Sequence, residues 1–251
     1  MENSNKNNLK EEIIEELNLK IYQDDRFFKY GLDSVELCKF VKKVELKEFN
    51  LDTNITPIDT EKYKNYNVID ICSGTGIIGL ITQRIFNLEN ISFIEKQKYF
   101  AELNKFNAEK NLDKNAFNVY NIDICKENNK LLKELESKTD IILTNPPYKK
   151  FNSGINSKHN EKTIAKIEDE DFIENLFKFS SRILKDNGRL YMVNRVDRIV
   201  DISQISRKYN LEPKTIQFVV NNKNMPKLVL IQFIKNAKEF LKVLENRIIR
   251  G

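Results

Sequence analysis

The chain of 251 residues contains one histidine, three cysteines, seven glycines and five prolines. The single histidine, His159, has no cysteine or acid at ligand spacing, so the sequence offers no metal site. Cys38, Cys72 and Cys125 are odd in number, widely spaced and set among apolar residues; they read as reduced core thiols rather than a disulfide framework. Scarce glycine and proline, with 40% hydrophobic and 31% charged residues, exclude a disordered chain. No apolar run approaches the roughly 18–20 residues that cross a bilayer. The polar start, Met1-Glu2-Asn3-Ser4-Asn5-Lys6, lacks the apolar stretch of a signal peptide, and a cytoplasmic location is expected.

Charge is present but uneven. Residues 185–251 carry 14 Lys/Arg against 6 Asp/Glu, although the whole chain is only +5. A basic C-terminal third suits a polyanion such as RNA, and a lysine-decorated surface would look the same.

The length allows one α/β domain with a substantial core, or at most two small ones. Leu9 to Leu17 reads as a short amphipathic helix and Leu19–Tyr22 as a strand. Asp33, with Glu36 three residues on, looks like the N-cap of a helix, and residues 50–65 read as a connector. From Tyr66 strands and helices alternate. The strands are Val68–Ile71, Ile91–Ile94, Phe117–Ile122, Ile141–Leu143 and Arg189–Val193. The helices between them are Ile77–Phe86, Lys98–Lys110, Asn128–Ser137 and Asp171–Lys185. Such alternation predicts a parallel sheet covered on both faces. After a helix at Arg198–Lys208 the runs Thr215–Val220 and Leu228–Ile234 are too close for a crossover helix, so they should pair antiparallel. The expected layout is an N-terminal extension, residues 1–60, packed on a single unit, residues 61–251.

Asp70-Ile-Cys72-Ser-Gly74-Thr-Gly76-Ile-Ile-Gly79 follows the first parallel strand and opens a helix. Glycines there let a ligand approach the backbone. Gly74, Gly76 and Gly79 satisfy a dinucleotide fingerprint, and Glu95 lies where a ribose-binding acid belongs. Nicotinamide cofactors and S-adenosylmethionine fit this pattern almost equally. Asp70 would repel a pyrophosphate but suits an ammonium and a sulfonium, and the antiparallel last pair is foreign to the nicotinamide fold. S-adenosylmethionine is therefore favoured.

Asn145-Pro146-Pro147-Tyr148 ends the run Ile141-Ile-Leu143. Two prolines cannot continue a strand, so the chain leaves the sheet as a stiff turn. The turn holds one amide, one unpaired carbonyl and one ring in fixed relation, a grip for a flat amine. The Asn145 oxygen and Pro146 carbonyl can accept both amine hydrogens and localise the nitrogen lone pair, which aims it at an electrophilic methyl. Tyr148 would stack on the base, a contact worth about 1–3 kcal/mol.

Together, Asp70–Gly79, Glu95, Asp123 and Asn145–Tyr148 resemble the Rossmann-like, seven-stranded S-adenosylmethionine-dependent methyltransferases that act on planar amines. Phe28-Lys-Tyr-Gly31-Leu-Asp33-Ser-Val35, the loop Tyr148–Ile164 and Asn194-Arg195-Val-Asp197-Arg198 are similar to the tRNA(Val) adenine-N6 methyltransferase family. The resemblance implies a mixed sheet with an antiparallel last strand and a tRNA substrate methylated on adenine N6 beside the anticodon. It implies cofactor contacts from Asp33, Asp70, Gly74, Gly76, Glu95 and Asp123. It implies catalytic roles for Asn145, Pro146 and Tyr148.

Pro147 fixes the turn and is an expected substrate contact. Lys149, Arg195 and Arg198 are the expected substrate contacts, with Lys150, Arg207 and Lys208 as further phosphate contacts; a solvated basic face is the plain alternative. Residues 151–158 read as a substrate lid, and His159 as a surface residue. No membrane and no obligate protein partner are inferred. Rival readings are a guanine-N2 rRNA enzyme, a DNA adenine enzyme, a release-factor glutamine methyltransferase and a non-catalytic RNA- or cofactor-binding module. The DNA enzyme lacks an evident target-recognition domain, and about 60 upstream residues are few for the helical domain of the release-factor type.

Overall fold

The computed structural model describes residues 8–27, 31–49, 54–59, 61–126, 129–147, 149–150, 167–168, 172–222 and 225–249. The N-terminal part is a hairpin of β1 (Leu9–Ile14) and β2 (Leu19–Asp24), followed by α1 (Leu32–Leu46). Alternation then sets in: β3 (Val68–Ile71), α2 (Ile77–Phe86), β4 (Ile91–Glu95), α3 (Lys98–Asn111), β5 (Phe117–Asn121), α4 (Asn129–Leu135) and β6 (Thr139–Thr144). Two short strands, β7 (Lys149–Lys150) and β8 (Ile167–Glu168), pair with each other in parallel. The chain ends with α5 (Phe172–Ile183), β9 (Leu184–Arg195), α6 (Ile199–Lys208), β10 (Leu211–Val220), β11 (Pro226–Lys235), β12 (Lys242–Val243) and β13 (Arg247–Ile248).

The central sheet runs β12-β10-β11-β9-β6-β3-β4-β5, with β13 also on β10. β5, β4, β3, β6 and β9 are parallel, while β11 is antiparallel to both β9 and β10. The seven long strands therefore form the expected Rossmann-like mixed sheet, with β10 at one end and β5 at the other.

Burial explains why the inner strands read as unbroken apolar runs. Ile141 and Leu143 belong to the core layer shared with α1 and α2, whereas Ile142 between them faces the layer built with α4, α5 and α6. Both layers are filled, so alternation of side chains brings no polar residue between Ile141 and Leu143.

Three elements differ from the sequence expectation. Leu9–Leu17 is a strand and a 3₁₀ turn (Glu15–Leu17), not a helix. Pairing with β2 overrides helical propensity there: Glu11 faces Tyr22 across the ladder and accepts its hydroxyl, and Lys10 pairs with Asp25. The N-cap of α1 is Gly31; Asp33 lies in the first turn instead. Finally, β10 gains two partners on its outer side, β12 and β13, both parallel to it. They cover an edge that would otherwise present unpaired backbone groups.

α1 crosses β9 and β11, and polar groups fix it there as well as apolar ones. Arg189 makes a bidentate pair with Glu45 at 2.8 and 2.9 Å. The Tyr191 hydroxyl donates to the same carboxylate and accepts from Gln232 Nε2 at 2.8 Å. Nearer the front of α1, Glu36 receives Lys39 and, from β13, Arg247 at 2.8 Å.

Candidate active site

In open α/β sheets ligands bind beyond the carboxyl ends of strands, where the strand order reverses. Here that point lies between β3 and β6, which are neighbours with Ile71 opposite Thr144. The glycine loop leaves β3 and the Asn145 turn leaves β6, so the two motifs sit side by side, one strand spacing of about 4.8 Å apart.

The glycine loop is shaped by backbone conformations that most residues avoid. Cys72, Gly74 and Gly76 have φ of 60°, 53° and 85°. A Cβ on Gly76 would stand 2.7 Å from Asn104 Oδ1, so a side chain is excluded there on both counts. A Cβ on Gly74 would meet nothing within 4 Å, which leaves that face of the loop open. α3 pins the loop from behind: Asn104 Nδ2 donates to Ser73 Oγ and Asn107 Nδ2 to the Thr75 carbonyl, each at 2.9 Å.

Two carboxylates flank the loop. Asp70 is fully buried; its Oδ2 accepts the Gly79 N–H at 2.9 Å, and its Oδ1 has no hydrogen-bond partner. Burial pushes Asp70 up to about 8, the Gly79 N–H opposing and nearby Glu95 adding to the shift. Glu95, at the end of β4, accepts the Gly74 N–H at 2.9 Å and the Gln97 N–H at 2.8 Å. Burial raises it too, with those amides acting in the opposite direction. Asp70 thus keeps one oxygen unpartnered beside an open glycine turn, an arrangement with room for a donor, and the Glu95 carboxylate stands at the same loop.

Asp123 follows β5 and lies beside Lys96, 3.1 Å from its ammonium, and it accepts the Cys125 N–H at 3.1 Å. Burial acts to raise Asp123, but the Lys96 ammonium and the Cys125 amide hold it below the usual carboxylate range. It thus keeps its charge near the end of the third parallel strand.

On the other side of the cleft Pro146 is buried and Asn145 and Pro147 are partly so. Asn145 Nδ2 donates to Ser34 Oγ at 3.2 Å, across 111 residues of sequence. This bond brings the first turn of α1 to the amide, and Asp33 with it. Asp33 Oδ1 accepts the Ser34 N–H at 2.9 Å.

The structure therefore brings together Asp33, Asp70, Gly74, Gly76, Glu95, Asn145, Pro146 and Pro147. Arg195, at the end of β9, is exposed and donates to Asp197; Arg198 lies in the next turn, 3.5 Å from Asp201. Both stand at the cleft end of the sheet. Arg207 and Lys208 do not. They close α6 at the opposite end, where Arg207 forms a bidentate pair with Glu212 at the start of β10. For Lys149 and Lys150 only the backbone of β7 is described. Tyr148, the 151–158 lid and His159 lie outside the described residues. Cys38 is buried, Cys72 and Cys125 are partly exposed, and all three are free thiols. No described helix is long and apolar enough to cross a membrane.

Residues that sequence reasoning missed are Ser34, Asn104 and Asn107. The two asparagines carried a weak signal, since they share the buried face of α3 where amides are rare. Ser34 carried none.

Comparison with known proteins gives the arrangement its family. The family described as "Methyltransferase small domain" matches residues 55–220. A "tRNA1(Val) (adenine(37)-N6)-methyltransferase" of Porphyromonas gingivalis is 28% identical over 145 residues, 57% of this chain and 55% of that protein. The chain thus spans little more than half the length of that relative. One of the same description from Cytophaga hutchinsonii is 24% identical over 191 residues, 74% of this chain and 75% of that protein. Among solved structures, P. horikoshii TYW2 in complex with MeSAdo superposes with a TM-score of 0.58 at 14% identity, covering 92% of this chain and 72% of that one. M. jannaschii TYW2 in complex with AdoMet gives 0.50 at 14%, covering 90% and 86%. These likenesses show a shared fold, and the family match spans both the glycine loop and the Asn145 turn: the chain belongs to the methyltransferase small domain family.

Proposed function

We propose that this chain is an S-adenosylmethionine-dependent N-methyltransferase acting on the N6 amine of an adenine in RNA, in particular a tRNA adenine beside the anticodon. One observation carries the reading. The Asn145 turn, built to accept from a flat amine, stands across the sheet's switch point from a buried acid and an open glycine loop. The printed names of the relatives supply the substrate class.

The cofactor side suits S-adenosylmethionine. Asp70 Oδ1 is buried and unpartnered, as a carboxylate awaiting a cationic group would be. The Gly74 face is open, and Glu95 is held by backbone amides with its carboxylate at the loop. Asp33, Asp70, Gly74 and Gly76 would hold the amino-acid end, Glu95 the ribose hydroxyls and Asp123 the adenine amine. The bound cofactor supplies a methyl group on a positively charged sulfur.

The chain's own residues do the rest. Asn145 Oδ1 and the Pro146 carbonyl accept the two amine hydrogens out of the base plane, which localises the nitrogen lone pair. Two prolines keep that geometry rigid, so little reorganisation accompanies the reaction. No strong base is needed, because the amine proton becomes acidic only as the new C–N bond forms. Tyr148 stacks on the base, which must be unpaired or flipped out to enter. Lys149, Arg195 and Arg198 meet the RNA backbone. Residues 1–60 act with the core as one catalytic unit, since α1 delivers Asp33 to the cleft.

The test is to incubate the protein with methyl-labelled cofactor and, separately, total RNA, DNA and release factor. Label in RNA is expected; label in protein alone would replace this reading with glutamine methylation.

A further inference from the structure

An asparagine amide presents a donor on one side and an acceptor on the other, and it can turn over about its last bond. Only one of the two orientations can accept a hydrogen from an incoming amine. The backbone of the Asn-Pro-Pro turn fixes where Asn145 is, but not which way its amide faces. A tertiary contact must hold it.

We propose that Ser34 is a positioning residue that anchors the Asn145 amide, holding it in the arrangement in which Nδ2 meets α1 and Oδ1 is left for the substrate amine. Asn145 Nδ2 donates to Ser34 Oγ at 3.2 Å, so the nitrogen side of the amide is turned toward α1 and the oxygen side away from it. Ser34 is 3% exposed and sits in the first turn of a helix of 15 residues. Its own N–H donates to the Gly31 carbonyl at 3.1 Å and to Asp33 Oδ1 at 2.9 Å, which locks the residue in place.

The helix behind it is held unusually firmly. Glu45, near its far end, is clasped by Arg189 and Tyr191 from β9, and Glu36, two residues from Ser34, is clasped by Arg247 from β13. Leu37, Phe40 and Val41 seat α1 in the core. The ion pairs fix its axial position, and with it the distance from Ser34 to Asn145. This gives the N-terminal segment and the C-terminal strands a task in catalysis although neither carries a group that touches the reacting atoms. The inference rests on the reading above, that Asn145 accepts the amine hydrogens.

The experiment compares wild type, Ser34→Ala, Ser34→Thr and Asn145→Ala with labelled S-adenosylmethionine and total tRNA. Ser34→Ala should lower kcat by about tenfold or more while KM for both substrates stays within about twofold, and Ser34→Thr, which keeps the hydroxyl, should recover most of the rate. In nitrogen-15 NMR spectra the side-chain amide pair lost in Asn145→Ala should move in Ser34→Ala and return in Ser34→Thr. A merely structural role would not produce that recovery or that local shift. Full turnover and an unmoved amide pair in Ser34→Ala, with Asn145→Ala inactive, would overturn the inference and leave the proposed function standing. Full turnover in Asn145→Ala would overturn both.

Discussion

The two walls of the cleft are built by opposite means. On the cofactor side, carboxylates and backbone amides close over short sequence distances: Asp70 with Gly79, Glu95 with Gly74 and Gln97. On the proposed amine side the amide of Asn145 bonds to a residue 111 positions away, on a helix anchored by Glu45–Arg189 and Glu36–Arg247. Apart from Asp33, the first wall is a property of β3, α2, β4 and α3, which follow one another in the chain. The second exists only when the N-terminal segment, the sheet and the C-terminal strands have all assembled. Cofactor binding and methyl transfer should therefore be separable by mutation.

The largest separation is expected from Asn145→Ala. Methyl transfer should fall by about 10²–10³, as when a preorganised hydrogen-bonding group is removed from a reaction site, with cofactor affinity measured by calorimetry unchanged. Arg189→Ala attacks the same wall from behind. It leaves the Glu45 carboxylate, nearly buried, without its guanidinium, and should cost about 3 kcal/mol in urea unfolding. The cofactor wall breaks differently. Gly76→Ala must place a Cβ at φ 85° and against Asn104, so about 1–3 kcal/mol of stability and much of the cofactor affinity should be lost together.

The last contrast is a pH dependence. Asp70 titrates at about 8 when folded, against an ordinary carboxylate value of 3.8. Between those values the folded chain holds a proton that the unfolded chain has released, so this group's contribution to stability declines as pH rises through that window. Asp123, held below its ordinary value, works the other way at acid pH. Thermal melts without cofactor from pH 5 to 8 should slope downward, and Asp70→Asn should flatten the slope.

The same contrast explains what the sequence revealed. Asp70, the glycines, Glu95 and the Asn-Pro-Pro turn were legible because each is tied to a strand end by local geometry. The antiparallel last pair followed from the connection between its strands being too short for a crossover helix. Ser34 was not legible, since a serine in a first helical turn looks like any other until tertiary packing sets it against Asn145. Leu9–Ile14 misled because its charges and apolar residues fit a helical face as well as an edge strand, and only the partner strand decides. β12 and β13, two residues each and largely exposed, have no period to read. Arg207 and Lys208 looked equivalent to Arg195 and Arg198 in a basic list. One helix length carries them to the far end of the sheet.

The central claim is that this cleft methylates an adenine amine in RNA. The most direct measurement digests total tRNA after reaction with labelled cofactor and identifies the labelled nucleoside by mass spectrometry. The account predicts N6-methyladenosine with the wild-type chain and none with Asn145→Ala. Label confined to guanosine or cytidine, or adenosine labelled equally by Asn145→Ala, would contradict it.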